Sequence, residues 1–236
     1  METEKTQGNE AEFDAFASDY DSALNEGLKL SGEGKDYFAE NRMKWLSFRL
    51  RQLNLEPGNA LDFGCGTGSA TPFFFDILKL KELSGFDPSE KSLEQARTLW
   101  SEYSVSFHSD ISQAKELELG FCNGVFHHIP PSERTQAAGS VFKALKPGAC
   151  FAFWENNPWN PVTRYAMSRV PFDADAILVW PHEARKLLRG VGFQILITDY
   201  KFFFPRPLAF CRPLEPKLRW LPLGGQYLVL AQKPAE

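Results

Sequence analysis

Residues 61–69 constrain the fold more than any other part of this chain, because they join a short apolar strand to a turn with glycine at positions 64, 66 and 68. Glycine lacks a Cβ and adopts positive φ readily, so the N–H groups of such a turn can face a ligand where the next helix begins. Ser69 stands where the dinucleotide fingerprint G-x-G-x-x-G has glycine or alanine, so the spacing here is G-x-G-x-G. The segment therefore predicts an α/β unit that binds a nucleotide-like cofactor.

A second predicted strand, at residues 82–86, is followed at once by Asp87. This carboxylate comes about 20 residues after the glycine turn, the distance at which α/β nucleotide-binding units hold ribose hydroxyls. Because a carboxylate repels a 2′-phosphate, Asp87 favours a cofactor whose ribose carries free hydroxyl groups.

Strand and helix patterns alternate along residues 59–154. The apolar pattern predicts strands at 60–63, 82–86, 104–108, 118–122 and 149–154, and helices at 70–78, 93–100 and 133–145. Such alternation implies right-handed crossovers and a parallel sheet. Because open α/β sheets bind ligands beyond the carboxyl ends of their strands, we expect four residues to converge there: Gly64, Asp87, Asp110 and Asn123.

The flanking regions complete the predicted domain organisation. Residues 1–11 form a polar tail that we expect to be disordered, and residues 12–56 are expected to form N-terminal helices or a lid, including an amphipathic helix at 36–53. Residues 57–236 are predicted to form the main domain, with an insertion near 156–180 that includes a helical stretch at 162–169. A helix at 181–190, strands at 193–204 and 226–231, and a proline-rich link at 205–222 are also predicted. The length of 236 residues fits one domain.

Charge and cysteine content narrow the class of protein. The formal net charge is −4 and there is no dense block of Lys and Arg, so nucleic acid is not an expected partner and a small-molecule substrate is favoured. The four cysteines lack C-x-x-C spacing, so we expect the reduced thiols of a cytoplasmic protein, with neither a disulfide framework nor a zinc site. The N-terminal sequence has no signal-peptide pattern, and no apolar run reaches transmembrane length.

Phenylalanine is unusually frequent, with 21 residues that include runs at 73–75 and 202–204. Either these rings fill the faces between the sheet and its helices, or some of them line a pocket for an apolar or aromatic substrate. The second alternative suits an aromatic metabolite or a lipid-linked acceptor.

Five segments occur in a fixed order within residues 58–155, with the sequences DFGCGTG (62–68), GFDPS (85–89), SDI (109–111), NGVFHHI (123–129) and LKPGA (145–149). They closely resemble the ordered motifs of the class I S-adenosylmethionine-dependent methyltransferases. The resemblance implies a three-layer, doubly wound α/β fold with a mostly parallel seven-stranded sheet and an antiparallel last strand. It also implies S-adenosylmethionine as the cofactor, S-adenosylhomocysteine as a product, and in-line transfer of a methyl group to an O, N or C atom.

By the same resemblance, the glycine turn binds the methionine end of the cofactor. Gly64, Gly66 and Gly68 would cradle that end through their main chain. Asp62 would orient the turn or receive the ammonium group through water, and Cys65 would fit as a small residue.

The next two segments would hold the nucleoside. Asp87 would accept both ribose hydroxyls, and Pro88 and Ser89 would lead into the helix near the adenine. Asp110 and Ile111 match the pair at the adenine edge, where a carboxylate accepts from the exocyclic amine and the following N–H meets a ring nitrogen. A helix cap is the alternative role for Asp110.

The fourth segment borders the activated methyl group in this family, and here Asn123 and Gly124 occupy it. Enzymes that methylate amide or base nitrogens often have Asn-Pro-Pro-Tyr or Asp-Pro-Pro-Tyr there. This chain has glycine in place of the first proline and no tyrosine, which favours a small-molecule or lipid-like acceptor. Tyr20 and Arg42 belong to N-terminal elements that close over the cofactor in related enzymes, and Arg42 either pairs with the methionine carboxylate or lies on a solvated helix face.

Two histidines and a glutamate are the candidate catalytic groups. An imidazole near neutral pH can take a proton from an acceptor, which makes His128 a candidate base. Glu155 ends the fifth predicted strand, where it can orient the acceptor, act as a base or anchor a loop. Adjacent histidines point in different directions, so at most one of His127 and His128 is expected to face the substrate, and packing or capping is the alternative for each. We predict no metal site.

Two other functions compete with this interpretation. An oxidoreductase would bind nicotinamide or flavin in a similar βαβ unit, but Ser69 replaces the third glycine of its fingerprint. A non-catalytic module would use the same fold to bind a cofactor and a partner protein.

Overall fold

The computed structural model describes residues 31–169 and 176–235, and the sheet in these ranges has seven strands in the order β3-β2-β1-β4-β5-β7-β6. The strands are β1 (Asn59–Phe63), β2 (Glu82–Phe86), β3 (Val105–His108), β4 (Leu117–Asn123), β5 (Leu145–Asn156), β6 (Gln194–Lys201) and β7 (Gln226–Gln232). The pairs from β3 across to β5 are parallel, and β7 is antiparallel to both β5 and β6. The predicted mostly parallel sheet with an antiparallel last strand is confirmed.

The helices in these ranges are α1 (Lys35–Gln52), α2 (Thr71–Asp76), α3 (Glu90–Leu99), α4 (Arg134–Ala144), α5 (Pro161–Met167), α6 (Pro181–Gly190) and α7 (Glu215–Leu218). Among them, none is long and apolar enough to span a membrane. The predicted tail, Tyr20 with the start of the predicted lid, and residues 170–175 of the predicted insertion lie outside the described residues.

Alternating side chains of β5 divide the core between the two faces of the sheet. Phe151 and Phe153 pack on the face covered by α4 and α6, whereas Cys150, Ala152 and Trp154 pack on the face covered by α1 and α2. Most phenylalanines of the strands are buried in these two clusters. For those rings the structure supports the first alternative, in which phenylalanine fills the sheet faces.

A buried carboxylate fastens α1 across the antiparallel end of the sheet. Asp199 of β6 accepts hydrogen bonds from Arg49 Nε and Nη2, both at 2.7 Å, and from Trp45 Nε1 at 3.0 Å. Earlier on the same helix, Arg42 Nη1 donates to Gln226 Oε1 at 3.0 Å, where β7 begins. The anchored helix therefore holds Arg42 at the carboxyl edge of the sheet.

The segment between β6 and β7 is more ordered than a proline-rich link. It contains a 3₁₀ helix, Arg206–Leu214, followed directly by α7. The buried carboxylate of Glu215 accepts from Lys201 Nζ at 2.9 Å and from the Phe203 N–H at 3.0 Å. The predicted strand at 193–204 is shorter in the structure because Phe202, with φ of +65°, turns the chain out of β6.

Candidate functional site

The glycine turn after β1 is shaped by both backbone conformation and close packing. Gly64, Gly66 and Gly68 have φ of +76°, +53° and +71°. A Cβ on Gly64 would lie 2.4 Å from Val125 Cγ2, and one on Gly68 would lie 2.8 Å from Trp100 Cδ1. A Cβ on Gly66 would meet no described atom within 4 Å, so this glycine faces open space.

Asp87 connects the glycine turn to the start of α3. One carboxylate oxygen accepts from the Gly66 N–H at 2.8 Å, and the other accepts from the Ser89 N–H at 3.0 Å. Ser89 caps α3 by accepting from the Ser92 N–H at 3.2 Å. The strand β2 thus places a carboxylate directly beside the turn, and Pro88 separates Asp87 from Ser89 in the sequence.

Asp62 is a buried acid beneath the turn. Burial is the main cause that raises the pKa of Asp62 to about 7, with a further contribution from the nearby charge of Asp87. Arg42 acts in the opposite direction but does not outweigh them. Burial and the same two carboxylates also raise the pKa of the Cys65 thiol, so this cysteine is not activated as a nucleophile. The region around Asp62 and the glycine turn thus disfavours negative charge and would be stabilised by a cationic ligand.

Asp110 lies exposed at the end of β3 and caps the short 3₁₀ helix Ile111–Gln113. Its two carboxylate oxygens accept from the Ser112 N–H at 2.9 Å and from Ser112 Oγ at 2.7 Å. These bonds lower the pKa of Asp110. Ile111 packs against the core. The capping alternative is therefore observed, and a carboxylate oxygen that accepts one bond can accept another.

Asn123 ends β4 and Gly124 follows it, at the same edge of the sheet. Gly124 has φ of +65°, and its N–H donates to the Trp154 carbonyl of β5 at 3.0 Å. The side-chain oxygen of Asn123 is buried and has no hydrogen-bond partner within the described ranges. A buried polar atom left in this way is costly, so it marks a position where a ligand donor would be stabilising.

Glu155 and His127 form a buried pair at the end of β5. Their Oε2 and Nδ1 atoms are 2.6 Å apart. Glu155 Oε1 also accepts from the Phe126 N–H at 2.8 Å and from the His127 N–H at 3.3 Å. Burial would raise the pKa of Glu155, but the imidazoles of His127 and His128 and the Phe126 N–H outweigh it and hold that pKa below its ordinary value. The carboxylate thus fixes the loop that follows β4.

His128 lies next to this pair. The ring centroids of His127 and His128 are 4.1 Å apart, and His128 is half-buried whereas His127 is buried. The His127 ring also approaches Gly124, because its Cε1 atom lies 3.3 Å from the position that a Cβ on Gly124 would occupy. The two rings therefore lie against the loop that borders the candidate cofactor site.

The structure brings most of the predicted cofactor residues to one edge of the sheet. Three features there suit a cationic nucleoside such as the predicted cofactor: the open space over Gly66, the unfavourable burial of Asp62, and the buried oxygen of Asn123. Two residues that the sequence analysis did not single out support the turn. Val125 packs on Gly64, and Trp100 donates its indole N–H to the Thr67 carbonyl at 2.8 Å. Neither contact has a local sequence signal.

Chemistry based on a bound metal has no support in the part of the chain that the structure covers, because no group of three or more His, Cys, Asp or Glu residues there could hold an ion. The predicted absence of a metal site is not contradicted within residues 31–169 and 176–235.

Known proteins share both the sequence signature and the fold. A family model described as "Methyltransferase domain" matches residues 61–151. Malonyl-[acyl-carrier protein] O-methyltransferase 2 of Coxiella burnetii (strain RSA 493 / Nine Mile phase I) is 28% identical over 174 residues, which are 70% of this chain and 67% of the relative.

Solved structures agree with the fold at lower sequence identity. The plantazolicin methyltransferase BamL, in complex with a triazolic desmethylPZN analog and SAH, has a TM-score of 0.64 and 17% identity, with 97% of each chain covered. A SAM-dependent methyltransferase from Archaeoglobus fulgidus has a TM-score of 0.57 and 16% identity, covering 81% of this chain and 94% of that one.

Proposed function

Because the chain is a class I S-adenosylmethionine-dependent methyltransferase, we propose that it transfers the methyl group to a small-molecule or lipid-like acceptor at the carboxyl edge of its sheet. The observation that carries the site assignment is the contact between Asp87 and the Gly66 N–H, which joins the acid to the glycine turn. The alternatives, a dinucleotide oxidoreductase and a non-catalytic module, lack a comparable observation.

The inner cofactor residues that we propose lie at the carboxyl ends of β1, β2 and β4. Gly64, Gly66 and Gly68 provide main-chain contact, and Asp87 offers its remaining acceptor capacity to ribose hydroxyls. Asp62 favours the cationic methionine end, because a nearby positive charge offsets its burial. Asn123 offers its buried oxygen to a donor.

The outer edge of the site is proposed from weaker contacts. Asp110 and Ile111 would meet the adenine, and Arg42 would meet the methionine carboxylate, since it lies close enough to Asp62 to affect that residue's pKa. Tyr20 stays a proposed contact from the sequence alone.

When bound, S-adenosylmethionine supplies a methyl group on a sulfonium, and the protein mainly needs to fix distance and direction and exclude water. We propose that Glu155 is a positioning residue, because its oxygens already contact His127 and the Phe126 N–H. His128 is the proposed base for an acceptor that must lose a proton, since it is less buried than His127.

The acceptor class is proposed from two lines of support. The Coxiella relative is named for methylating the malonyl group of an acyl-carrier protein, which is an acyl acceptor and not a nucleic acid. The loop after β4 carries Gly124 and Val125 in place of the proline pair found in many amide and base methyltransferases. We further propose a cytoplasmic location, which suits the four cysteines, all unpaired as free thiols.

Calorimetric titration with S-adenosylmethionine, S-adenosylhomocysteine and NAD tests the cofactor site. The native protein should bind both sulfur compounds saturably and should not bind NAD tightly. Asp87→Ala should weaken binding by about tenfold or more, because it removes a ribose acceptor and loosens the turn. Glu102→Ala is the matched control, since Glu102 is an exposed acid on the loop before β3.

Folded protein that binds NAD and neither sulfur compound would overturn the proposal. For the catalytic step, S-adenosylhomocysteine release is measured with fatty acyl carboxylates and phenols as acceptors. A His128→Ala variant that turns over as fast as the native protein would remove His128 as the base.

A further inference from the structure

The segment between β6 and β7 carries a surface of exposed apolar side chains. Phe210 and Trp220 are the most exposed large apolar residues in the described ranges, at 79% and 70%. Three leucines near them are also exposed: Leu208, Leu214 and Leu223. We refer to residues 206–223 as the 206–223 surface. Side chains of this size are costly to hold in water, and a group of them marks an interaction site.

The same surface is basic, although the whole chain has a net charge of −4. Its single acid, Glu215, is buried and paired with Lys201 at 2.9 Å. Arg206, Lys217 and Arg219 are exposed. The charges of Arg206 and Lys217 therefore face solvent in the same segment as the exposed rings, whereas Arg212 pairs with Glu33 and Arg219 lies 3.8 Å from Asp199.

The 206–223 surface is anchored to neighbouring elements and leaves the sheet at the same edge as the cofactor site. Four prolines interrupt it, at 207, 213, 216 and 222. Asn160 Nδ2 donates to the Leu223 carbonyl at 2.7 Å, and Arg212 Nη2 binds Glu33 Oε1 at 2.8 Å. Lys201, Gln226 and Asn156 are in register across β6, β7 and β5, so the segment leaves the sheet at the carboxyl edge where β5 ends. The glycine turn lies on that edge.

We propose that the 206–223 surface docks on a membrane that contains anionic lipids. Aromatic and leucine side chains interspersed with Lys and Arg suit the boundary between acyl chains and negatively charged head groups. A second copy of this chain is a poorer occupant, because a symmetric contact would oppose the same positive charges. A soluble acidic protein would match the charge, but rings as exposed as Phe210 and Trp220, at 79% and 70%, suit insertion among lipid chains.

Docking in this orientation would turn the carboxyl edge of the sheet toward the bilayer. A lipid-like acceptor could then reach the site without crossing water. This consequence for the acceptor rests on the proposed function, whereas the docking itself does not.

Vesicle flotation tests the docking. The full chain should float with vesicles of phosphatidylcholine and phosphatidylglycerol, float much less with phosphatidylcholine alone, and be released as ionic strength rises. Phe210→Ser with Trp220→Ser, and separately Arg206→Glu with Lys217→Glu, should each reduce partitioning by more than about tenfold. The matched control combines Leu99→Ser and Lys81→Glu, an exposed apolar residue and an exposed cation outside the surface.

Three results would overturn the docking proposal. The first is native protein that ignores anionic vesicles, and binding to immobilised polyglutamate in that case would point to an acidic protein partner. The second is a control variant that loses flotation as much as the surface variants. The third is a native dimer, seen by sedimentation, that the Phe210 and Trp220 changes convert to a monomer without any vesicle binding.

S-adenosylmethionine titration of the same variants separates this proposal from the proposed function. The surface variants should keep the native affinity for the cofactor while losing vesicle binding. Native protein that floats but does not bind the cofactor would reject the proposed function and leave the docking supported.

Discussion

Asp62 and Glu155 are carboxylates at the same edge of one sheet, with exposed fractions of only 4% and 0%, and yet their pKa values move in opposite directions. Burial disfavours the charged form of both. Glu155 is compensated by an imidazole and by backbone N–H groups, whereas Asp62 lies near a second carboxylate, Asp87. The protein therefore satisfies Glu155 by itself and leaves the charge of Asp62 to be satisfied by a ligand.

This difference gives the two strand ends different roles within one site: the end of β5 is structural, and the end of β1 is proposed to bind the ligand. At the end of β5, the contacts of Glu155 with His127 and with the Phe126 N–H hold the loop after β4. At the end of β1, burial disfavours the charge of Asp62, and a cationic cofactor would remove that cost. The open space over Gly66 leaves room for such a ligand. Each of the four substitutions below affects either the end of β5 or the glycine turn at the end of β1.

The largest effect is expected for Glu155→Leu. It leaves His127 and the Phe126 N–H without their buried acceptor, so the free energy of unfolding should fall by about 3–5 kcal/mol. Urea unfolding followed by circular dichroism measures it. Glu155→Gln keeps one acceptor oxygen and should lose about 1–3 kcal/mol. Equal stability of Glu155→Leu and the native protein would show that the pair does not hold the loop.

Asp62→Asn should act in the opposite way on stability. It removes an unfavourable buried charge, so the free energy of unfolding at pH 8 should rise by about 1–3 kcal/mol. Affinity for S-adenosylmethionine should fall by about tenfold or more, because the cationic end loses its counter-charge. Calorimetry and urea unfolding give the two values, with the exposed Asp76→Asn as control. A variant that is less stable and binds normally would place Asp62 with Glu155 as a structural acid.

The pH dependence follows from the same raised pKa. Between about pH 4 and pH 7 the folded protein holds a proton on Asp62 that the unfolded chain has lost, so the stability of the unliganded protein should decrease as pH rises through this window. Cofactor affinity should increase across about pH 7, because the ligand favours the ionised acid. Both trends should disappear in Asp62→Asn. Identical pH profiles of the native protein and the variant would contradict the assignment.

The smallest effect is expected for Trp100→Phe. The change removes one hydrogen bond, from the indole N–H to the Thr67 carbonyl, and should cost about 1 kcal/mol of stability. Because Trp100 packs against Gly68, cofactor affinity should fall only a few-fold. A larger loss of affinity than in Asp62→Asn would mean that the shape of the turn matters more than its charge.

The parallel half of the molecule could be predicted closely because its information is local. A glycine or an acid follows each of β1 to β4 within two residues, and these residues mark the cofactor edge. The strand at 82–86 and the helix at 181–190 have the predicted limits. Helix and strand patterns also sufficed to predict the antiparallel β7 once the resemblance to the family was known.

Contacts distant in sequence were the part that could not be predicted. The pairing of Glu155 with His127 depends on β4 and β5 being neighbours, and the contact of Trp100 with Thr67 depends on the tilt of α3. The prolines at 207, 213 and 216 indicated an irregular link, yet the buried Glu215 gathers that segment into helical turns. Burial of one acid decides that outcome, and no local pattern reveals it.

The double contact of Asp87 also limits how this protein can evolve. The carboxylate that would select the ribose is the same group that ties Gly66 to Ser89. A lineage that drifted toward a cofactor with a 2′-phosphate would have to give up this acid and find a new fastening for the turn in the same step. The choice of cofactor is thus linked to the structure of the glycine turn. A single substitution of Asp87 would disrupt the turn before it could change which cofactor binds.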